Sequence, residues 1–128
     1  MLKLTIEILP GELADRISIL ELRIQHLQDG SQRTLAGDEL NNLQIQWESL
    51  SPLDAEVRAL IDRLAKINRR LWEVEDQLRL HESRKDFGAN FIELARSVYK
   101  LNDERSVLKR EINLNLCGLP GEQKVHIK

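Results

Sequence analysis

Leu53, Val57, Leu60, Leu64, Ile67, Leu71, Val74 and Leu78 follow one another in alternating steps of four and three residues. That is the heptad period of a helix whose apolar seam faces another helix. The seam runs from Leu53 to His81, nearly four heptads, and predicts one helix of ~30 residues and ~45 Å. So much apolar surface is costly in water, and the remaining segments must supply its cover.

The composition suits that task. Of 128 residues, 41% are hydrophobic and only 4% aromatic, so the core must be aliphatic, while 31% are charged. Leucine-rich, charge-rich and aromatic-poor chains build helix bundles and coiled coils. A net charge of −2 offers no electrostatic footprint for nucleic acid or for an anionic membrane. Cys117 is the single cysteine, which excludes an internal disulfide and fits a reducing compartment. The opening MLKLTIEILPGELADR lacks the apolar stretch and cleavage site of a secretory signal, and no apolar run approaches the ~18 residues of a membrane span. The expectation is a soluble cytoplasmic protein that binds neither nucleic acid nor membrane.

Residues 3–9 alternate, with Leu4, Ile6 and Ile8 on one side and Lys3, Thr5 and Glu7 on the other. This predicts a short strand that Pro10-Gly11 ends. Val125 and Ile127 suggest a second strand over 124–128. A helix is predicted over 12–28, where Leu13, Ile17, Leu20, Ile24 and Leu27 keep the four-three spacing and Asp29-Gly30 supplies a stop. Residues 31–37 read as a polar loop, and 38–48 as a short helix showing Leu40, Leu43 and Trp47. The long helix is expected over 52–82, with Ser51 capping, Pro52 in the first turn and Asp54 favoured by the macrodipole. Gly88 supplies backbone freedom in the turn that follows. The last helix is expected over 90–117, opened by a capping box at Asn90–Glu93 with Asp86 as a rival cap, and closed by Gly118 and Pro120.

That last helix carries its own heptad: Phe91, Leu94, Val98, Leu101, Arg105, Leu108, Ile112 and Asn115. Folding it antiparallel onto the long helix sets His81 against Phe91, Leu71 against Leu101, Ile67 against Arg105, Leu64 against Leu108 and Leu60 against Ile112. The same register sets Arg70 beside Glu104, Arg63 beside Glu111 and Asn68 opposite Asn102. The fold class is therefore mainly α: an antiparallel, coiled-coil-like hairpin within a three- to four-helix bundle, flanked by short N- and C-terminal β-strands. Helices of unequal length leave part of the long pair uncovered, so a homodimer or other homo-oligomer is expected.

Arg105 is the anomaly, an obligate cation at a seam position. Its stem would pack while the guanidinium reaches a carboxylate such as Glu21 or Asp15, or it would pin the helix register. The functional alternative is an anion site between helices, with Arg16 and Lys109 converging on Arg105. The run Asn102-Asp103-Glu104-Arg105 occupies four consecutive positions, faces every side of a helix and cannot form one patch. Trp72 lies off the seam among acidic residues and suits packing against a third helix or a second subunit. Tyr99 suits a boundary position. The three histidines are scattered, and neither a metal motif, a phosphate loop nor a nucleophile elbow occurs. No cofactor is expected.

The segments GELADRISILELR, LWEVEDQLR and FIELARSVYKLNDERSVLKREIN together resemble a family of small uncharacterised bacterial helical proteins, over most of the chain except 31–49. The resemblance implies a basic residue where Arg16 stands and a retained run at Asn102–Arg105. It also implies a setting in cell-surface polysaccharide or glycosyl transfer. It favours an accessory or interaction protein and makes Arg16, Asp103 and Arg105 the first residues to mutate. The leading expectation is a non-enzymatic, self-associating module that docks a protein partner, with Trp72 or Trp47 as anchors. The alternative is a small-anion binder or mutase-like helical enzyme using Arg16, Arg105 and Lys109. The order medium, short, long, long departs from the long-first order of such enzymes.

Overall fold

A computed structural model describes residues 2–121. Four helices follow in chain order: α1 (Pro10–His26), α2 (Gly30–Glu48), α3 (Ala55–Ser83) and α4 (Ala89–Cys117). The heptad seam becomes α3, and its cover is α4, of the same 29-residue length. The antiparallel register is visible at both ends of the pair. The His81 and Phe91 rings lie 6.2 Å apart near the turn, and Leu60, Leu64, Leu108 and Ile112 share one buried cluster near the open end. Val57, Leu64, Val74 and Ile112 are almost wholly inaccessible, where each side chain contributes roughly 1.5–3 kcal/mol by leaving water.

α1 packs against both α3 and α4, and α2 packs on α1. The wide apolar stripe of α1 lets it meet three neighbours at once: Leu13, Ala14, Leu20 and Leu22 are buried. α2 returns the chain so that Trp47, in its last turn, packs against the Ala14–Leu60–Leu64–Leu108–Ile112 cluster.

Local structure departs from the sequence reading at several points, each with a local cause. Residues 3–9 form no strand; Leu2, Leu4 and Ile6 are exposed. A strand needs a ladder partner, none is present among the described residues, and the expected second strand over 124–128 lies outside them. Residues 31–37 are helical, because Asp29 caps α2 by accepting the Ser31 and Gln32 backbone N–H groups at 2.8 and 3.2 Å. Gly30 therefore opens α2 instead of closing α1, which ends where Leu27 turns extended. The cap of α3 is Asp54, whose carboxylate accepts the Val57 N–H at 2.9 Å, so Ser51 and Pro52 stay outside the helix.

At the other end of α3, the left-handed residue of the turn is Lys85 (φ 56°) and not Gly88. Gly88 is the N-cap of α4, which places Asn90 inside the first turn and leaves the capping box unformed. Asp86 accepts the Gly88 N–H instead. Gly118 ends α4 as expected, left-handed at φ 72° with its N–H on the Leu114 carbonyl. Arg70 pairs with Glu73, one turn along its own helix, at 3.7 Å. Asn68 turns to α1 and away from the expected amide pair with Asn102: a buried carboxylate outcompetes a neutral amide as acceptor.

Candidate functional site

α1 begins with no side chain of its own to cap it, and α4 supplies the missing acceptor. The Gly11 N–H donates to Asn113 Oδ1 at 2.6 Å. The backbones approach so closely that a Cβ at Gly11 would overlap the Lys109 carbonyl oxygen. Asn113 also donates from Nδ2 to the Pro120 carbonyl at 3.3 Å. One buried amide thereby ties the start of α1 to the chain leaving α4.

This approach brings two charged lines together. On α4, Arg105, Lys109 and Asn113 are spaced four apart and share one face. On α1, Glu12 and Asp15 face them. Asp15 is 2% exposed, and a carboxylate so placed needs several partners. Its Oδ1 accepts from Asn68 Nδ2 at 2.9 Å, and its Oδ2 receives Arg105 Nη2 at 3.1 Å with Lys109 Nζ at 3.8 Å. Asn68 Nδ2 also reaches Ser18 Oγ at 3.2 Å.

Glu12 accepts Lys109 Nζ on one oxygen and Arg16 Nε on the other, the latter at 3.1 Å. Partial burial works against ionisation of Glu12. The hydrogen bond and charge of Lys109, joined by Arg16, overcome it and hold the carboxyl below its ordinary value. Arg105 also donates from Nη1 to Asn102 Oδ1 at 3.2 Å.

Beside this network opens a cleft of about 460 Å³, within the size range of small-molecule sites. Arg16 from α1 and Asn102, Arg105, Ser106, Lys109 and Arg110 from α4 line it, with Glu7, Ile8 and Leu9 on one wall and Pro120 and Gly121 at one end. Four cations meet Glu7 and Glu12 here, with Asp15 directly behind, which leaves one positive charge in excess. The arrangement supplies fixed hydrogen-bond donors on a mostly prepaid electrostatic frame.

Of the residues singled out from sequence, the structure brings Arg16, Asn102, Arg105 and Lys109 into this cleft. The others lie elsewhere. Asp103 borders a separate groove of about 450 Å³ between α3 and α4, with Arg63, Lys66, Ile67, Glu104 and Val107. Glu21 is exposed on α1 and is not the partner of Arg105, a place Asp15 takes. The Trp72 ring stacks on His26 of α1 with centroids 4.7 Å apart, a packing contact with a third helix. Tyr99 stands on the outer surface of α4.

Gly11, Glu12, Arg110 and Asn113 also belong to the site, though their sequence positions do not single them out. The polar line Arg105-Lys109-Asn113, interrupting a leucine-rich helix every four residues, was the available signal. Among the described residues no helix is long and apolar enough to cross a membrane, and no group of three or more His, Cys, Asp or Glu is placed to hold a metal ion. Among curated proteins and solved structures, none matches this chain significantly. The profile of one protein family does match, over residues 4–125, a span that takes in the whole α1–α4 cleft, and the chain belongs to that family, the family of unknown function DUF6165.

Proposed function

We propose that this protein is a small-anion-binding helical module whose ligand lies in the α1–α4 cleft. One observation carries the reading: Arg16, Arg105, Lys109 and Arg110, drawn from two helices, line a single cleft together with the polar side chains of Asn102 and Ser106. Glu12 and Asp15 hold Lys109 and Arg105 in place, so the donors are pre-oriented and little ordering entropy remains to be lost on binding. Arg16, held through its Nε on Glu12, and Arg110 line the same cleft and would present their guanidinium groups to an anion. Guanidinium groups suit planar, bidentate contact with phosphate or carboxylate. The carboxylates of Glu7 and Glu12 at the same wall would accept hydroxyl donors, so a phosphorylated or carboxylated polyol fits better than a bare inorganic anion. The resemblance to bacterial proteins of surface-polysaccharide and glycosyl-transfer settings makes sugar phosphates the first ligands to assay, and an accessory, non-catalytic role the natural one.

The test is a thermal-shift screen followed by calorimetry. Inorganic phosphate, pyrophosphate, hexose phosphates and dicarboxylates are the probes, and saturating ligand should raise stability by a few kcal/mol at about a hundred times its dissociation constant. Arg16→Ala with Arg110→Ala should weaken binding about a hundredfold or more while the fold persists, because neither side chain touches Asp15. Silence across the screen, or equal affinity in the double variant, would overturn the reading.

A further inference from the structure

The outer face of α4 holds a second feature, which borders the cleft and shares Arg110 with it. Ile92, Tyr99, Val107 and Leu114 are all 41–54% exposed. They are spaced seven, eight and seven residues apart, close to two helical turns each time, so they form one stripe. Among the described residues α4 packs on α3 and α1, and by helical spacing this stripe lies opposite the core residues Leu108 and Ile112. Asp103 and Arg110 fall within the same stripe, on either side of its midpoint between Ser106 and Val107.

We infer that the stripe is the seam of a two-fold homodimer in which α4 packs antiparallel on α4 of a second copy. A two-fold axis at that midpoint sets Asp103 of each copy opposite Arg110 of the other, and Tyr99 of each opposite Leu114 of the other. Val107 then meets its own counterpart beside the axis. The self-complementarity singles out a second copy as the occupant. A symmetric interface requires that residue i meet j and j meet i, and the sequence provides that twice in charge and twice in apolar contact. Parallel alignment would set Asp103 against Asp103 and Arg110 against Arg110, a like-charge penalty. Asp103 already borders Arg63 and Lys66, and a carboxylate has room to accept a second cation. Tyr99, Val107 and Leu114 of each copy make a small interface, below the ~800 Å² per partner of a standard stable complex, so association is sought up to submillimolar protein.

Sedimentation velocity and light scattering on the full chain, from micromolar to submillimolar protein, test this. The average mass should rise from 14.8 kDa towards twice that value. Asp103→Arg alone and Arg110→Asp alone should each weaken association about tenfold, and the two combined should restore it. Val107→Glu should abolish it with the circular dichroism melt retained. A strict monomer at every concentration would overturn the inference. So would a dimer indifferent to Asp103→Arg and Val107→Glu, or a charge swap that fails to restore association. Arg110 also lines the cleft, so Asp103→Arg and Val107→Glu, which lie outside it, are the variants that separate failure of this dimer from failure of anion binding.

Discussion

Arg105 on α4 reaches Asp15 on α1 at 3.1 Å, and Asp15 is 2% exposed. The cation that interrupts the seam therefore answers a buried carboxylate on a third helix. Arg105→Leu should cost about 3 kcal/mol in urea denaturation, because Asp15 would be left short of charge compensation. Adding Asp15→Asn should recover most of that loss, since an amide tolerates burial beside Asn68 and Ser18 far better than an anion does. Equal stability of Arg105→Leu and the wild type would show that Lys109 and Asn68 alone satisfy Asp15.

Gly11 is where α1 meets α4 most closely. Gly11→Ala should destabilise by about 2 kcal/mol or more, since the new methyl meets backbone and not a flexible side chain. Asn113→Ala should cost about 1–3 kcal/mol by orphaning the Gly11 N–H. Hydrogen exchange at the first turn of α1 should rise in both variants before exchange in α3 does.

Glu12 gives the cleft a pH dependence. Burial raises its pKa, but Lys109 and Arg16 lower it further, so the folded-state value lies below the ordinary 4.5. A depressed carboxyl contributes stability that is complete above the unfolded value and is lost as pH falls through the folded one. Glu12→Gln should thus be less stable than wild type at pH 7 by about 1 kcal/mol. The two stability curves should converge as pH drops below 4.5. Parallel curves across that range would show that Glu12 gains nothing from its partners.

The α3–α4 turn carries a left-handed Lys85 (φ 56°). Lys85→Gly should raise stability by about 0.5–1 kcal/mol, the relief of strain exceeding the entropy added to the unfolded chain. The same change at Arg84, which is right-handed, should lower stability. Thermal melts of the two variants compare them directly.

Much of the hairpin was legible from residues alone. Leu53 to Leu78 and Phe91 to Ile112 repeat with the helical period, and aliphatic size and spacing are local properties that any seam must satisfy. Pairing His81 with Phe91 and Leu64 with Leu108 needed only a turn of known length. The polar segment 31–37 does not read as helix because its helix rests on a single cap, Asp29, and not on an apolar stripe. Residues 3–9 show the opposite case: alternation is local, whereas a strand exists only with a partner.

Sequence by itself determined that two long helices fold onto each other and in which register, because periodic burial leaves few alternatives. Only the tertiary structure decided which carboxylate answers Arg105 and where α1 lies against α4. Charges on a helix are plentiful and nearly interchangeable in pattern, so Glu21 and Asp15 looked alike until Gly11 allowed the backbones to close. That contact buries Asp15, draws Arg105 and Lys109 to it, and opens the cleft beside them. Non-local sterics at one glycine chose the site; the heptads had only made room for it.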